Sequence, residues 1–215
     1  YDIVIIGGGV VGCSAAYYAS NEGQKVLLIE KDSIASHASG FAYGGITPHV
    51  GLDEDDPYNQ ISKYSYELHK ILADEIPSIS GIDYGYRTYP NFELSLNEQD
   101  EKELKSIYEN NLDSNIYEWC SKEDLKQIDN RLGPSVTSAL VTKLSSGVEP
   151  YKLTFAMGIA SEKNGVEILN AEVKNLNFQN DESVIISTLN NKEISAEKVL
   201  VAAGPWSSNF SKWFG

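Results

Sequence analysis

Near the start of the chain three glycines, Gly7, Gly9 and Gly12, stand in a G-x-G-x-x-G spacing, and Glu30 follows 23 positions after the first. Glycines at these steps allow a tight turn, a close backbone approach to a pyrophosphate, and close packing of a helix on its strand. The helix then presents free N–H groups and its positive dipole end to the phosphates. A carboxylate at Glu30 can accept both hydroxyls of an adenosine ribose, and its charge opposes a 2′-phosphate, which disfavours NADP. The spacing alone recurs by chance in many proteins, so the flanking elements have to decide whether a nucleotide is held or the turn is merely glycine-rich.

Those elements are present. Residues 2–6, Asp-Ile-Val-Ile-Ile, are apolar without alternation, the pattern of a strand buried on both faces of a parallel sheet. Cys13 to Glu22 reads as a helix rich in Ser and Ala that Gly23 ends, and Lys25 to Glu30 reads as a second buried strand. Strand, glycine turn, helix and strand are complete within thirty residues.

From Lys31 to Pro57 the chain enters a long loop, where an NAD dehydrogenase would continue alternating strands and helices. The stretch from Ser36 to His49 is small and hydroxyl-rich. Such residues suit a backbone passing close to a bulky flat group and offering N–H donors to a second phosphate or a flavin edge; a surface loop is the other reading.

Farther on, 58–76 carries apolar residues at helical spacing, with strand-like pieces at 82–87 and 92–96. Asn97 and Ser121 are expected N-caps, and 136–142 a further strand. After Pro150 come a helix over 151–164, a short strand over 166–169, three β-like pieces near 171–178, 183–189 and 192–195, and a buried strand over 198–203. The expected fold is α/β: a Rossmann-like βαβ domain with a parallel sheet and a β-meander, built from 1–77 and 146–215, with an α+β substrate lobe inserted at 78–145.

Composition narrows the partners. Seventeen Lys and Arg against thirty-one Asp and Glu leave a net charge of −14, which repels nucleic acid and anionic lipid headgroups. No apolar run reaches the roughly 20 residues of a membrane span. A soluble, cytoplasmic protein without nucleic-acid partners is expected. The two cysteines, Cys13 and Cys120, have no metal or redox spacing around them; Cys13 reads as a small buried helix residue, and no metal site is expected.

Several separated motifs together resemble one family. Asp2 to Tyr18, Lys25 to Lys31, Ser39-Gly-Phe-Ala-Tyr-Gly-Gly45, Val148-Glu-Pro-Tyr-Lys-Leu153 and Val199-Leu-Val-Ala-Ala-Gly-Pro-Trp-Ser207 are similar in order and spacing to the D-amino-acid-oxidase-type FAD oxidoreductases, glycine and sarcosine oxidases above all. The resemblance implies FAD as cofactor. It implies Gly7, Gly9, Val10, Val11 and Gly12 at the pyrophosphate, and Glu30 and Lys31 at the adenosine ribose. Ala38, Ser39, Gly40, Tyr43, Gly44 and Gly45 would run along the diphosphate toward the isoalloxazine, Val173 would contact adenine, and Ala203 and Gly204 would close over the cofactor.

The activity it implies is oxidation of a small amine or amino acid, of the glycine, sarcosine or D-amino-acid type. A hydride passes from the carbon beside the amine to flavin N5, leaving an imine that water hydrolyses. The alternatives are a 2-hydroxy-acid oxidoreductase of the hydroxyglutarate or glycerol-phosphate type, and a non-catalytic FAD-binding subunit. Family members run to roughly twice this length, so both lobes are expected to be truncated, with a C-terminal half or a second chain completing the site. The substrate and the electron acceptor, oxygen or quinone, stay open.

Three side chains are candidates for further roles. His37, in His37-Ala-Ser-Gly40, resembles a histidine that some relatives link covalently to flavin, and a non-covalent loop histidine is the other reading. His49 is placed to line the flavin or substrate cavity, or else to sit in solvent. Arg87, in an expected strand from Asp83 whose Tyr84 and Tyr86 would share a face, could pair with a substrate carboxylate or with acidic surface neighbours.

Overall fold

The structure, a computed structural model, describes residues 1–47, 57–112, 116–179 and 183–213. Along the chain its elements are β1 (Ile3–Ile6), α1 (Val10–Asn21), β2 (Val26–Glu30), β3 (Gly45–Ile46), α2 (Pro57–Ser80), β4 (Arg87–Ser95), α3 (Glu98–Glu109), β5 (Tyr117–Ser121), α4 (Lys122–Ile128), β6 (Ser138–Gly147), α5 (Pro150–Lys163), β7 (Glu167–Asn170), β8 (Val173–Gln179), β9 (Ser183–Thr188), β10 (Glu193–Ala196) and β11 (Lys198–Val201), with short 3-10 stretches at Ala38–Phe41 and Gly204–Trp213. They form two compact units, Tyr1–Gly44 with Leu72–Tyr84 and Glu149–Gly215, and Gly45–Ile71 with Gly85–Val148.

In the first unit the strands lie parallel in the order β11-β1-β2-β7, with Ile3 opposite both Val26 and Lys198. Val4, Ile6, Leu27 and Ile29 point to one face and pack against Leu176, Val184, Ile186, Ile194 and Ala196 of the antiparallel meander β10-β9-β8. On the other face Ile5 and Leu28 are fully buried, and α1 packs against α5 there, close enough for Ser14 Oγ to donate to Met157 Sδ at 3.3 Å. Covering both faces explains why β1 and β2 have no polar alternation. The expected α/β fold, parallel sheet and meander are therefore present.

In the second unit β6 is the centre of an antiparallel sheet. β4 runs along one edge of it, and β5 and β3 pair with it over Ser138–Thr142 and Ser146–Gly147. Register is pinned from inside by Ser95 Oγ, fully buried and 2.6 Å from Ser138 Oγ. Both expected caps are in place: Asn97 accepts from the Gln99 and Asp100 N–H groups, and Ser121 forms a reciprocal capping box with Asp124.

The structure corrects the sequence reading in three places. Residues 82–86 are not a strand, because Gly81 and Gly85 take left-handed φ of 80° and 68°; Tyr84 is buried in the first unit, and Tyr86 belongs to the second. The strand begins at Arg87 and runs unbroken past Pro90, whose missing N–H is absorbed by a register shift between Tyr89 and Asn91. β11 is an edge strand, so Val199 to Val201 are half-buried rather than buried.

The units also divide differently from the boundaries expected at 77/78 and 145/146: residues 45–71 group with 85–148.

Truncating a fully enclosed side chain costs far more than truncating one at a sheet edge. Leu28→Ala is expected to lower the unfolding free energy by about 2–5 kcal/mol, against roughly 1 kcal/mol for Leu200→Ala. Urea unfolding followed by circular dichroism measures both; equal losses would contradict the edge position of β11.

Candidate functional site

At the carboxyl ends of the parallel strands the first unit opens a cleft of about 870 Å³, the position where open α/β sheets take ligands. Its floor is Ile6 to Gly9 after β1, Glu30 and Lys31 after β2, Ala171 to Lys174 after β7, and Ala202 to Gly204 after β11. Two glycines set the backbone beneath it. Gly7 has φ of +117°, and a Cβ there would stand 2.4 Å from the Ala202 carbonyl oxygen. A Cβ on Gly12 would stand 1.9 Å from the Gly7 carbonyl oxygen, so only glycine lets α1 sit this close to β1.

That approach leaves donors facing the cleft. α1 has no side-chain cap at Gly9. Val10 N–H donates to Ser39 Oγ at 3.0 Å, while the N–H of Val11, which lines the cleft, meets no acceptor among the described residues. A Cβ at Gly9 would reach Ser39 Oγ at 3.0 Å, so the bare backbone keeps the space open. Lys31, Lys174 and Lys212 line the cleft with Glu30 and Glu172, so it carries cations that offset its carboxylates in a strongly acidic chain. A helix start with a free N–H and bare glycine backbone at the cleft fits the diphosphate of a dinucleotide.

Glu30 is almost fully buried, and its carboxylate ties the turn together. Oε2 accepts from Gly8 N–H at 2.6 Å and Oε1 from Asp32 N–H at 2.9 Å. Each oxygen keeps a second lone pair for a ribose hydroxyl. Beside it, Lys31 Nζ lies 5.3 Å from the Trp206 ring centre and 3.5 Å from Asp32. His37 Nε2 is 2.7 Å from Asp32 Oδ2, and its ring lies 4.9 Å from that of Trp206. The hydrogen bond from His37 holds the Asp32 carboxyl below its ordinary range.

Of the residues expected at the cofactor, Gly7, Gly9, Val11, Glu30, Lys31, His37, Ala38, Ser39, Val173, Ala203 and Gly204 line this cleft. Val10 and Gly12 contribute backbone behind it. Gly40 lies under Ala35, with room for no Cβ. Tyr43 is 90% exposed, Gly44 ends the first unit, and Gly45 opens β3 in the second; none of the three lines the cleft. Arg87, at the start of β4 opposite Gly147, is exposed and forms no ion pair with a described residue. His49 lies outside the described residues.

Some features had no clear signal in the sequence. Ala35 is buried with φ of +64°, and its N–H donates to Gly8 O at 3.0 Å, which ties the loop to the glycine turn. In the second unit a hollow of about 300 Å³ is walled by β3 and α2; burial pushes the pKa of His69 down there. Among the described residues no cluster of His, Cys, Asp and Glu could hold a metal, and no helix is long and apolar enough to cross a membrane.

Residues 2–213 match the model of the DAO family, FAD dependent oxidoreductases. The chain belongs to that family, and the cofactor its members depend on is FAD. It is 28% identical to a glycine oxidase of Bacillus subtilis over 215 residues, covering 100% of this chain and 57% of the relative. A glycerol 3-phosphate oxidase of Mycoplasma pneumoniae is 25% identical over 94% of this chain and 54% of its own length. Among solved structures, a glycine oxidase from Bacillus cereus superposes with a TM-score of 0.89 at 26% identity, over 100% of this chain and 58% of that one. The chain thus spans little more than half the length of these relatives.

Two substitutions test the cleft. Gly12→Ala must push α1 off β1 and is expected to weaken FAD binding by at least tenfold, whereas Ser39→Ala, losing one neutral hydrogen bond, should cost only several-fold; flavin fluorescence titration reads both. Burial, reinforced by the charge of Glu30, pushes the Cys13 thiol up to about 12. Because folding raises this pKa, the stability it reflects is present below the thiol's ordinary value near 9 and is lost as pH rises toward 12. At pH 8 Cys13 should resist iodoacetamide until the protein unfolds, as peptide mass mapping would show.

Proposed function

We propose that the protein acts with FAD in the oxidation of a small amine or amino acid, of the glycine, sarcosine or D-amino-acid type. The observation that carries the reading is the glycine turn at the floor of the cleft, with the free helix start of α1 and the buried carboxylate of Glu30 beside it. FAD, when bound, supplies the two-electron acceptor, and the chain binds and orients it. In this reading α1 and Ser39 hold the diphosphate. Glu30 receives the ribose hydroxyls. Val173, beside Glu172 on the cleft wall, faces the adenine, and Ala203 and Gly204 close the far side.

Likeness to glycine oxidases along the whole chain supports an amine substrate. The likeness to a glycerol 3-phosphate oxidase supports the second reading, oxidation of a hydroxy compound. The groups that touch substrate are assigned to polypeptide outside the portion of the relatives that this chain matches. A cytoplasmic location belongs to the same reading.

Anaerobic loss of flavin absorbance in the native protein separates the two. Glycine, sarcosine and D-alanine are expected to discharge the colour within the mixing time, and glycerol 3-phosphate and 2-hydroxyglutarate to leave it. Discharge by the hydroxy compounds alone would overturn the amine reading. Retention of a nicotinamide nucleotide in place of flavin would overturn both.

A further inference from the structure

The turn from Glu30 to Asp32 carries both groups assigned to the ribose, and the Asp32 N–H bond to Glu30 Oε1 is its one tie to β2 among the described residues. A side chain from the neighbouring strand also holds it. Asn170, the last residue of β7, directs Nδ2 at three successive carbonyl oxygens: those of Glu30 and Lys31, each at 3.3 Å, and that of Asp32, the shortest contact of the three. Next to it, the Ala171 N–H donates to Glu30 O at 2.9 Å. The two carboxamide hydrogens of Asn170 and the Ala171 N–H thus gather three carbonyls, and the chain is curled so that the Asp32 N–H points back to Glu30 Oε1 at 2.9 Å. The other oxygen of that carboxylate holds the Gly8 N–H. Asn170 does not line the cleft; it reaches the site only through this turn.

From this geometry we infer that Asn170 is a positioning residue for the adenosine end of the dinucleotide, setting the Glu30 carboxylate and the Lys31 side chain through the carbonyls of the turn. The inference rests on the reading that the cleft takes FAD. An asparagine serves here because its carboxamide donates while neutral. An aspartate in its place would turn oxygen toward three carbonyl oxygens and repel them. Alanine would leave the carbonyls to water, a mild change for folding at an exposed position but a loosening of the one turn whose direction matters to the ligand.

The test compares Asn170→Ala and Asn170→Asp with the wild-type chain in three measurements: thermal unfolding without ligand, affinity for ADP and for FAD from quenching of tryptophan fluorescence, and hydrogen exchange of the Asp32 and Gly8 amides. Expected are midpoints within a few degrees of wild type, about tenfold weaker binding of both nucleotides in the alanine variant and a larger loss in the aspartate variant, and faster exchange confined to residues around the turn. Unchanged nucleotide affinity in variants of a chain that does bind FAD would overturn the role of Asn170 and leave the dinucleotide reading standing. Affinity that falls only as far as the midpoint falls would make Asn170 structural. A wild-type chain that binds neither nucleotide would remove the dinucleotide reading and this role together.

Discussion

The approach of α1 to the end of β1 is the constraint on which the first unit depends. Gly12 and Gly7 lie so close that any side chain at position 12 would collide with backbone, and backbone cannot swing aside as a flexible side chain can. The contact brings the helix start level with the ends of the strands, where Val10 N–H meets Ser39 of the loop and Val11 lines the cleft. With α1 so placed, Cys13 tucks beneath the turn, its thiol 3.6 Å from Gly8 O. On the α5 side, a Cβ added at Gly158 would stand 3.7 Å from the Cys13 sulfur. A packing requirement and a ligand-facing geometry thus have one cause.

Charge in this protein is distributed against its total. A net charge of −14 would by itself repel a dinucleotide's phosphates, yet three lysines surround the cleft, and the one almost fully buried carboxylate there has both oxygens engaged by N–H groups. Those bonds offset the loss of water around Glu30. They also make the carboxylate a strut of the turn as much as a partner for ribose. The exposed surface can therefore be acidic while the cleft stays receptive to an anion.

Membership of the FAD-dependent family fits a division of labour within the chain. The first unit carries the glycine turn, the loop with Ser39 and His37, and the closing segment around Trp206, all turned to one cleft. The second unit is an antiparallel sheet held by hydroxyl pairs and capped helices, with its own hollow beside His69. The relatives are nearly twice as long as the stretch matched here.

Local rules made much of this legible from residue types alone. Unbroken β-branched runs at 2–6 and 25–30 require cover on both faces, glycines at 7, 9 and 12 announce a turn too tight for side chains, and Asn97 and Ser121 mark helix starts because their oxygens answer backbone N–H groups two or three residues on. All of these depend on near neighbours in the chain, so sequence suffices. Other features depend on distant partners. Tyr84 left the strand expected for it because two flanking glycines turn left-handed, and β11 lies outermost beside β1 among the described strands. Asn170 could be seen as a clamp only once β7 lay beside β2, for an asparagine ending a strand has no pattern to distinguish it. The residues set the local conformations, and the folded arrangement chose which of them meet, because contacts across a hundred or more residues are selected by burial of whole faces and leave no periodicity in the chain.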